Sequence, residues 1–287
     1  MILDGGLSNA LAARGHNLSD ELWTARLLRD DPGEIAAVHR TYYRAGAQVA
    51  TTASYQASVG GFLDAGLSRA EAESLLRRSV TLALEVRDEL STADRPLLVA
   101  ASVGPYGAVL ADGSEYRGRY GLTAAQLRDF HGPRLELLAS AGPDLLAVET
   151  IPDLDEAAVL VPLLDELGLP AWLSYSCAGL QTRAGQPLTD ACAVAAGSTA
   201  VVAVGVNCCA PDDVLPALEV AGPASRKPGV AYPNSGQGWD SGTHTWSGST
   251  SYDVTLAPRW VAAGASYVGG CCQVGPADIE ALTAELR

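Results

Sequence analysis

The stretch LLAVETIPDLDEAAVLVPLLDELGLPAWLSY, residues 145–175, contains one complete unit of the fold. LLAVE at 145–149 is an apolar run of strand length, and Asp153 stands where a helix cap belongs. Apolar residues then recur at helical spacing over 153–168, and AWLSY at 171–175 returns as a second short apolar run. Strand, helix, strand in that order predicts parallel strands of one sheet.

Outward from that unit the same pattern recurs along the chain. Strands are expected near 2–4, 48–52, 97–102, 145–149, 171–175, 201–206, 229–232 and 266–270. Helical spacing fills the gaps at about 34–46, 68–90, 123–141, 153–168, 188–197, 211–221, 252–264 and 276–286, with Ser68, Thr123 and Asp153 as caps. Eight such units in 287 residues predict an α/β fold, a closed (βα)8 barrel of TIM type, in preference to an open doubly wound sheet. With no linker or low-complexity tract in view, residues 1–287 read as one domain. Two long segments, 103–122 and 233–251, are rich in Gly, Ser and aromatics and read as lids or binding walls.

Chemistry-bearing residues fall just after the expected strand ends: Asp4-Gly5-Gly6, Tyr55, Ser102, Glu149-Thr150, Asn207-Cys208, Asn234 and Cys271-Cys272. In a barrel that rim carries the active site. The net charge of -14 argues against nucleic acid and against anionic membrane surfaces as partners. The chain opens on MILDGG with no basic, apolar leader, and no apolar run approaches the ~20 residues of a membrane span, so a cytoplasmic protein is expected. In a reducing compartment six cysteines leave burial, metal binding or reactivity as readings.

GVNCC at 205–209 ends one expected strand and GGCC at 269–272 another, one strand apart in a closed barrel. Cys208, Cys271 and Cys272 can therefore converge, and three thiolates select zinc while leaving a fourth position open. The flanking Gly269 and Gly270 would let the backbone bend so that consecutive side chains face one ion. Burial as small apolar side chains and a vicinal disulfide between Cys271 and Cys272 are the other readings, and Cys177, Cys192 and Cys209 read as buried thiols. His16, His39 and His131 read as surface residues, and no histidine shows ligand spacing.

Taken together, GVNCC followed 63 residues later by GGCC, the opening DGG, TYYRAGAQVATTASYQAS, SVGPYGAVLADGSEYRG and YPNSG resemble the homocysteine S-methyltransferase family, over essentially the whole chain. The resemblance to its small stand-alone members implies transfer of a methyl group from a sulfonium, S-methylmethionine or S-adenosylmethionine, to homocysteine, giving methionine. It implies zinc on Cys208, Cys271 and Cys272, with homocysteine's sulfur at the open position. It also implies that Asp4 and Glu149 hold the amino-acid end of homocysteine, helped by the amides around Gly5 and Gly6.

Small-molecule substrates are thus the expected partners. A sulfonium needs a wall that tolerates a cation, which aromatic faces provide. Trp23 and Tyr55 are the first candidates, with Tyr232, Trp239 or Trp246 behind them, and Asn234 as a residue that holds a polar substrate group or shapes the turn. Competing readings are betaine or another onium donor on the same scaffold, and a non-catalytic zinc-binding or redox-sensing protein that uses Cys271 and Cys272 as a switch.

Overall fold

The computed structural model describes residues 1–16, 24–240 and 245–287. Its centre is a seven-stranded parallel sheet made of β1 (Val49–Thr51), β2 (Leu98–Val103), β3 (Leu145–Ile151), β4 (Ala171–Tyr175), β5 (Val201–Asn207), β6 (Gly229–Tyr232) and β7 (Ala265–Val268), in chain order across the sheet. The sheet curls. Its two edge strands are joined through the first residues of the chain, since Ile2 bridges Val268 of β7 and Leu3 bridges Val49 of β1, both in parallel. The Leu3 N–H donates to the Val268 carbonyl at 2.8 Å and the Asp4 N–H to the Val49 carbonyl at 3.1 Å.

Helices α1 (Pro32–Ala45), α2 (Arg69–Leu90), α3 (Ala124–Ser140), α4 (Leu154–Leu167), α5 (Pro211–Ser225) and α6 (Pro276–Glu285) pack outside the sheet. Their starts are coded locally. Ser68 with Glu71 and Thr123 with Gln126 form reciprocal capping boxes, which satisfy N–H groups the first turn cannot pair internally. Asp153 caps α4 at the Asp155 N–H, and its other oxygen accepts from Arg119 in the loop after β2.

Two apolar layers follow from strand alternation. Leu145 and Ala147 of β3 point into the curl with Leu3, Val49, Ala100, Trp172, Ala203, Val230 and Tyr232. Leu146 and Val148, one residue out of phase, point to the helices instead. Every side of the sheet is therefore buried, and chemistry is left to the strand ends.

Several expectations change. Residues 106–116, expected as open loop, form a short helix Tyr106–Leu110 and a 3₁₀ turn Ser114–Tyr116. Segment 252–264 divides into a 3₁₀ turn Val254–Leu256 and a short helix Ala257–Ala262. His39 and His131 are buried, not exposed: His39 sits on the inner face of α1, and His131 pairs with buried Glu156 at 2.9 Å. Hydrophobic spacing on a helix marks the inner face, but it carries no signal for a histidine placed there. Among the described residues no helix is long and apolar enough to cross a membrane.

Candidate active site at the carboxyl ends of the strands

Cys208 follows β5 directly and lies in the left-handed region at φ 47°, which turns its side chain back toward the sheet axis. Cys271 and Cys272 follow β7. The three sulfurs lie within 4.8 Å of one another, with Cys208 Sγ and Cys272 Sγ 3.7 Å apart, and all are free thiols. A tetrahedral centre with ~2.3 Å metal–sulfur bonds has sulfur–sulfur edges of about 3.8 Å. The Cys208–Cys272 edge matches that value, and the trio is close enough together to hold a soft divalent metal. Hydrogen bonds from the Cys208 and Cys271 thiols hold the Cys272 thiol well below the usual range. Hydrogen bonds with Cys208 and Cys272, together with burial, push Cys271 up.

The glycines here act through close approach. Neither Gly269 nor Gly270 has a positive φ; Gln273 does, at 62°. A Cβ on Gly6 would lie 2.8 Å from the Cys271 carbonyl oxygen, and one on Gly269 would lie 2.9 Å from the Asp4 carbonyl oxygen. DGG and GGCC are therefore two faces of one backbone contact, which sets the first residues of the chain against the thiol turn. The Gly6 N–H is used in that contact, donating to the Val274 carbonyl at 3.0 Å. Asn234 serves the same turn: its Oδ1 accepts from the Cys272 N–H at 3.2 Å.

Two buried carboxylates face the thiols across a cavity of about 130 Å³, near the size of an engineered cavity that holds benzene. Asp4 accepts from the Thr51 N–H at 2.8 Å and the Thr51 hydroxyl at 2.9 Å. Glu149 accepts a short hydrogen bond from the Ser102 hydroxyl, and Tyr232 lines the same cavity. Burial nonetheless raises Asp4 to about 8 and Glu149 to about 7, because the hydrogen bonds offset only part of the cost of placing an anion out of water. An incoming cation would repay that cost.

Asn207 ties the two halves of the rim together. Its Oδ1 accepts from the Thr150 N–H at 2.7 Å and from Ser174 at 2.8 Å, and its Nδ2 donates to Thr150 Oγ1 at 2.7 Å and lies 4.0 Å from Cys271 Sγ. Thr150, held at φ 60°, places Glu149 at the cavity in a backbone conformation a β-branched residue rarely adopts. From the loop after β2, Tyr116 points its hydroxyl at Cys208 Sγ, 3.7 Å away, and Glu115 lines the cavity beside it, raised to about 7 by burial.

Of the residues expected at the site, Asp4, Gly5, Gly6, Tyr55, Glu149, Cys208, Tyr232, Cys271 and Cys272 line this one cavity. Asn234 braces the thiol turn from outside it. Trp23 and the side chains of Trp239 and Trp246 lie outside the described residues. Sequence reasoning placed Ser102, Thr150 and Asn207 at strand ends without giving them a role, and it passed over Thr51, Glu115 and Tyr116. Strand-end position was a signal for the first three, and the motif GPYGAVLADGSEYRG for the last two.

A thiol trio and two buried carboxylates at the carboxyl ends of a curled parallel sheet define an α/β enzyme of sulfur chemistry with a candidate metal centre. Residues 1–286 match the homocysteine S-methyltransferase family model. The chain is 46% identical to homocysteine S-methyltransferase of Escherichia coli, over 99% of this chain and 94% of that one, and 40% identical to selenocysteine Se-methyltransferase of Brassica oleracea over 98% and 87%. The crystal structure of the E. coli homocysteine methyltransferase MmuM in its metallated form superposes with a TM-score of 0.89 at 44% identity, covering 99% of this chain and 95% of that one. The chain belongs to the homocysteine S-methyltransferase family.

Proposed function

We propose that this chain, as one domain over residues 1–287 built on a closed (βα)8 barrel, transfers a methyl group from a sulfonium to the thiol of L-homocysteine and yields methionine. The observation that carries this reading is one cavity lined by three converging thiols and by Asp4 and Glu149. The bridges from Ile2 and Leu3 to both edge strands favour closure of the barrel.

Cys208, Cys271 and Cys272 would hold zinc, the ion that three thiolates suit, and the relative crystallised in metallated form agrees with a metal here. Bound there, zinc supplies Lewis acidity that brings a substrate thiol to thiolate at neutral pH. Asp4 and Glu149 take the α-ammonium of homocysteine through charge-assisted hydrogen bonds and thereby fix the direction in which its sulfur points. Asn207 and Asn234 hold the thiol turns in place through their side-chain amides. The Tyr55 ring, lining the same cavity, offers a π face to the cationic donor.

No base has to act on the methyl carbon, since a thiolate meets a sulfonium and both charges vanish as the new bond forms. A water-poor cavity favours such a step. The work of the protein is alignment of two sulfurs and one carbon, and the compartment that suits free thiols is the cytoplasm. The Brassica relative makes a selenol a second acceptor to include in the test.

The experiment is methionine formation by reduced, zinc-loaded protein given homocysteine with S-methylmethionine, S-adenosylmethionine or betaine in parallel, with and without a chelator. Chelator-sensitive turnover, fastest with a sulfonium, is expected. Turnover that survives removal of the metal, or none with any donor, overturns the reading.

A further inference from the structure

Glu115, the middle residue of the 3₁₀ turn Ser114–Tyr116, has no task in the chemistry described so far. It is 5% exposed, its Oε2 is covered and has no hydrogen-bond partner among the described residues, and it lines the cavity that also holds the three thiols. Asp4 and Glu149 differ, since each accepts from a hydroxyl in place. A buried carboxylate oxygen without a donor is costly unless a ligand completes it.

The turn that carries it is built firmly. The Ser114 N–H donates to Asp112 Oδ1 at 2.9 Å, and Arg117 donates to Ser114 Oγ at 2.9 Å. Gly107 packs so closely beneath that a Cβ there would lie 2.6 Å from the Glu115 nitrogen. A carboxylate held this way is poised, and among the described residues the cavity lining contains Asp4, Glu149, Glu115 and three cysteines, but no Arg, Lys or His. The positive charge must come with the substrates. Asp4 and Glu149 suffice for one α-ammonium, which leaves Glu115 for a second cation.

We propose that Glu115 is the specificity-determining carboxylate for the methyl donor, receiving its sulfonium charge and so selecting cationic over neutral donors. This rests on the methyl-transfer reading above. The transferred carbon must approach the acceptor sulfur to about 3–3.5 Å, so the donor sulfur sits one further C–S bond away, inside the cavity that Glu115 lines. In the transfer the acceptor thiolate forms a bond to the methyl carbon as the CH₃–S⁺ bond breaks. That bond's electron pair returns to the donor sulfur and leaves a neutral thioether, the acceptor's proton having already gone to solvent. Glu115 therefore holds the donor more tightly than either the transition state or the product. Its loss raises the donor KM while kcat stays level or rises.

The test compares the parent protein with Glu115→Gln and Glu115→Asp by calorimetric binding, without homocysteine, of S-methylmethionine, trimethylsulfonium, and 2-amino-5-methylhexanoic acid, the neutral isostere with CH in place of the sulfonium. Methionine formation is followed separately. Glu115→Gln should weaken both sulfonium ions by roughly 10- to 100-fold. The neutral isostere, zinc content and methionine affinity should stay within about twofold, as expected of an isosteric change that removes only the charge. Glu115→Asp should fall between the two. Equal loss for the isostere, no loss for either sulfonium, or loss for S-methylmethionine but not trimethylsulfonium each overturns the proposal. In a parent protein that forms no methionine, sulfonium-selective binding lost in Glu115→Gln shows that Glu115 recognises the cation and refutes the methyl-transfer reading alone.

Discussion

Arg134 on α3 is a buried cation whose guanidinium is held by backbone carbonyls. Its guanidinium donates to the Gly104 carbonyl at 2.8 Å, the Ser54 carbonyl at 2.8 Å and the Tyr55 carbonyl at 2.6 Å, joining the loops that follow β1 and β2. Burial lowers its pKa to about 10, so it remains charged at neutral pH. Arg134→Ala removes the donor from three carbonyls at once. Each such loss costs about 1–3 kcal/mol, and the lower end applies because a groove of about 830 Å³ beside Arg134 admits water to the gap. A total near 3 kcal/mol corresponds to a fall in Tm of roughly 6–10 °C for a chain of this size.

The same substitution reaches the site. Gly104 presses on Tyr55 so tightly that a Cβ would lie 2.5 Å from the Tyr55 carbonyl oxygen, so freeing one loop frees the Tyr55 ring. Arg134→Ala should therefore raise the donor KM several-fold as well. Arg134→Lys, with one ammonium for three carbonyls on two loops, should recover less than half of either effect. Thermal unfolding of zinc-loaded protein and steady-state kinetics measure both. A Tm within about 2 °C of the parent with unchanged KM would refute the clamp.

Gly270→Ala would set a Cβ 2.1 Å from Val274 Cγ1, a stiff branched side chain, and should cost about 1–3 kcal/mol by urea unfolding and release zinc; adding Val274→Ala should restore most of both. The carboxylates set a pH dependence. Asp4 and Glu149 are raised to about 8 and about 7 in the folded protein, so the stability they contribute is full below their unfolded values near 4 and is lost as pH rises through 7 and 8. An α-ammonium reverses that preference. Methionine, which carries the ammonium without the thiol, should bind more tightly as pH rises from 6 to 8 and release protons, seen as buffer-dependent heats; proton uptake would contradict the assignment. Asn207→Ala leaves the buried Thr150 N–H unpaired beside a left-handed φ and should lower stability by about 2–4 kcal/mol; a smaller loss on urea unfolding would show that Thr150 keeps its place without it.

The sheet was legible in the sequence because buried parallel strands write themselves as short apolar runs. β4 and β6 begin and end where those runs do, at Ala171–Tyr175 and Gly229–Tyr232. Residues 2–4 gave a strand signal, and there the chain makes only the two bridges that join the sheet edges. Short helices such as Tyr106–Leu110 were illegible, since five residues hold too few turns to show a period. At the site, thiols and carboxylates stood out by type and strand-end position. What spacing could not reveal is which neighbour holds each one: Ser102 on Glu149, Thr51 on Asp4 and Asn207 on Thr150 are pairings between distant strands. The pairing of DGG with GGCC through bare backbone was hidden for the same reason, and the glycines read as hinges when they serve as contact surfaces.

The central claim is that Cys208, Cys271 and Cys272 hold the metal on which turnover depends. It is tested most directly by measuring zinc per chain and methionine formation in the same reduced samples of the parent, Cys208→Ser, Cys271→Ser, Cys272→Ser and, as controls, Cys177→Ser and Cys192→Ser. About one zinc per chain in the parent and both controls is expected, with zinc and turnover lost together in each of the three cavity variants. Full turnover in any cavity variant depleted of metal would contradict the account.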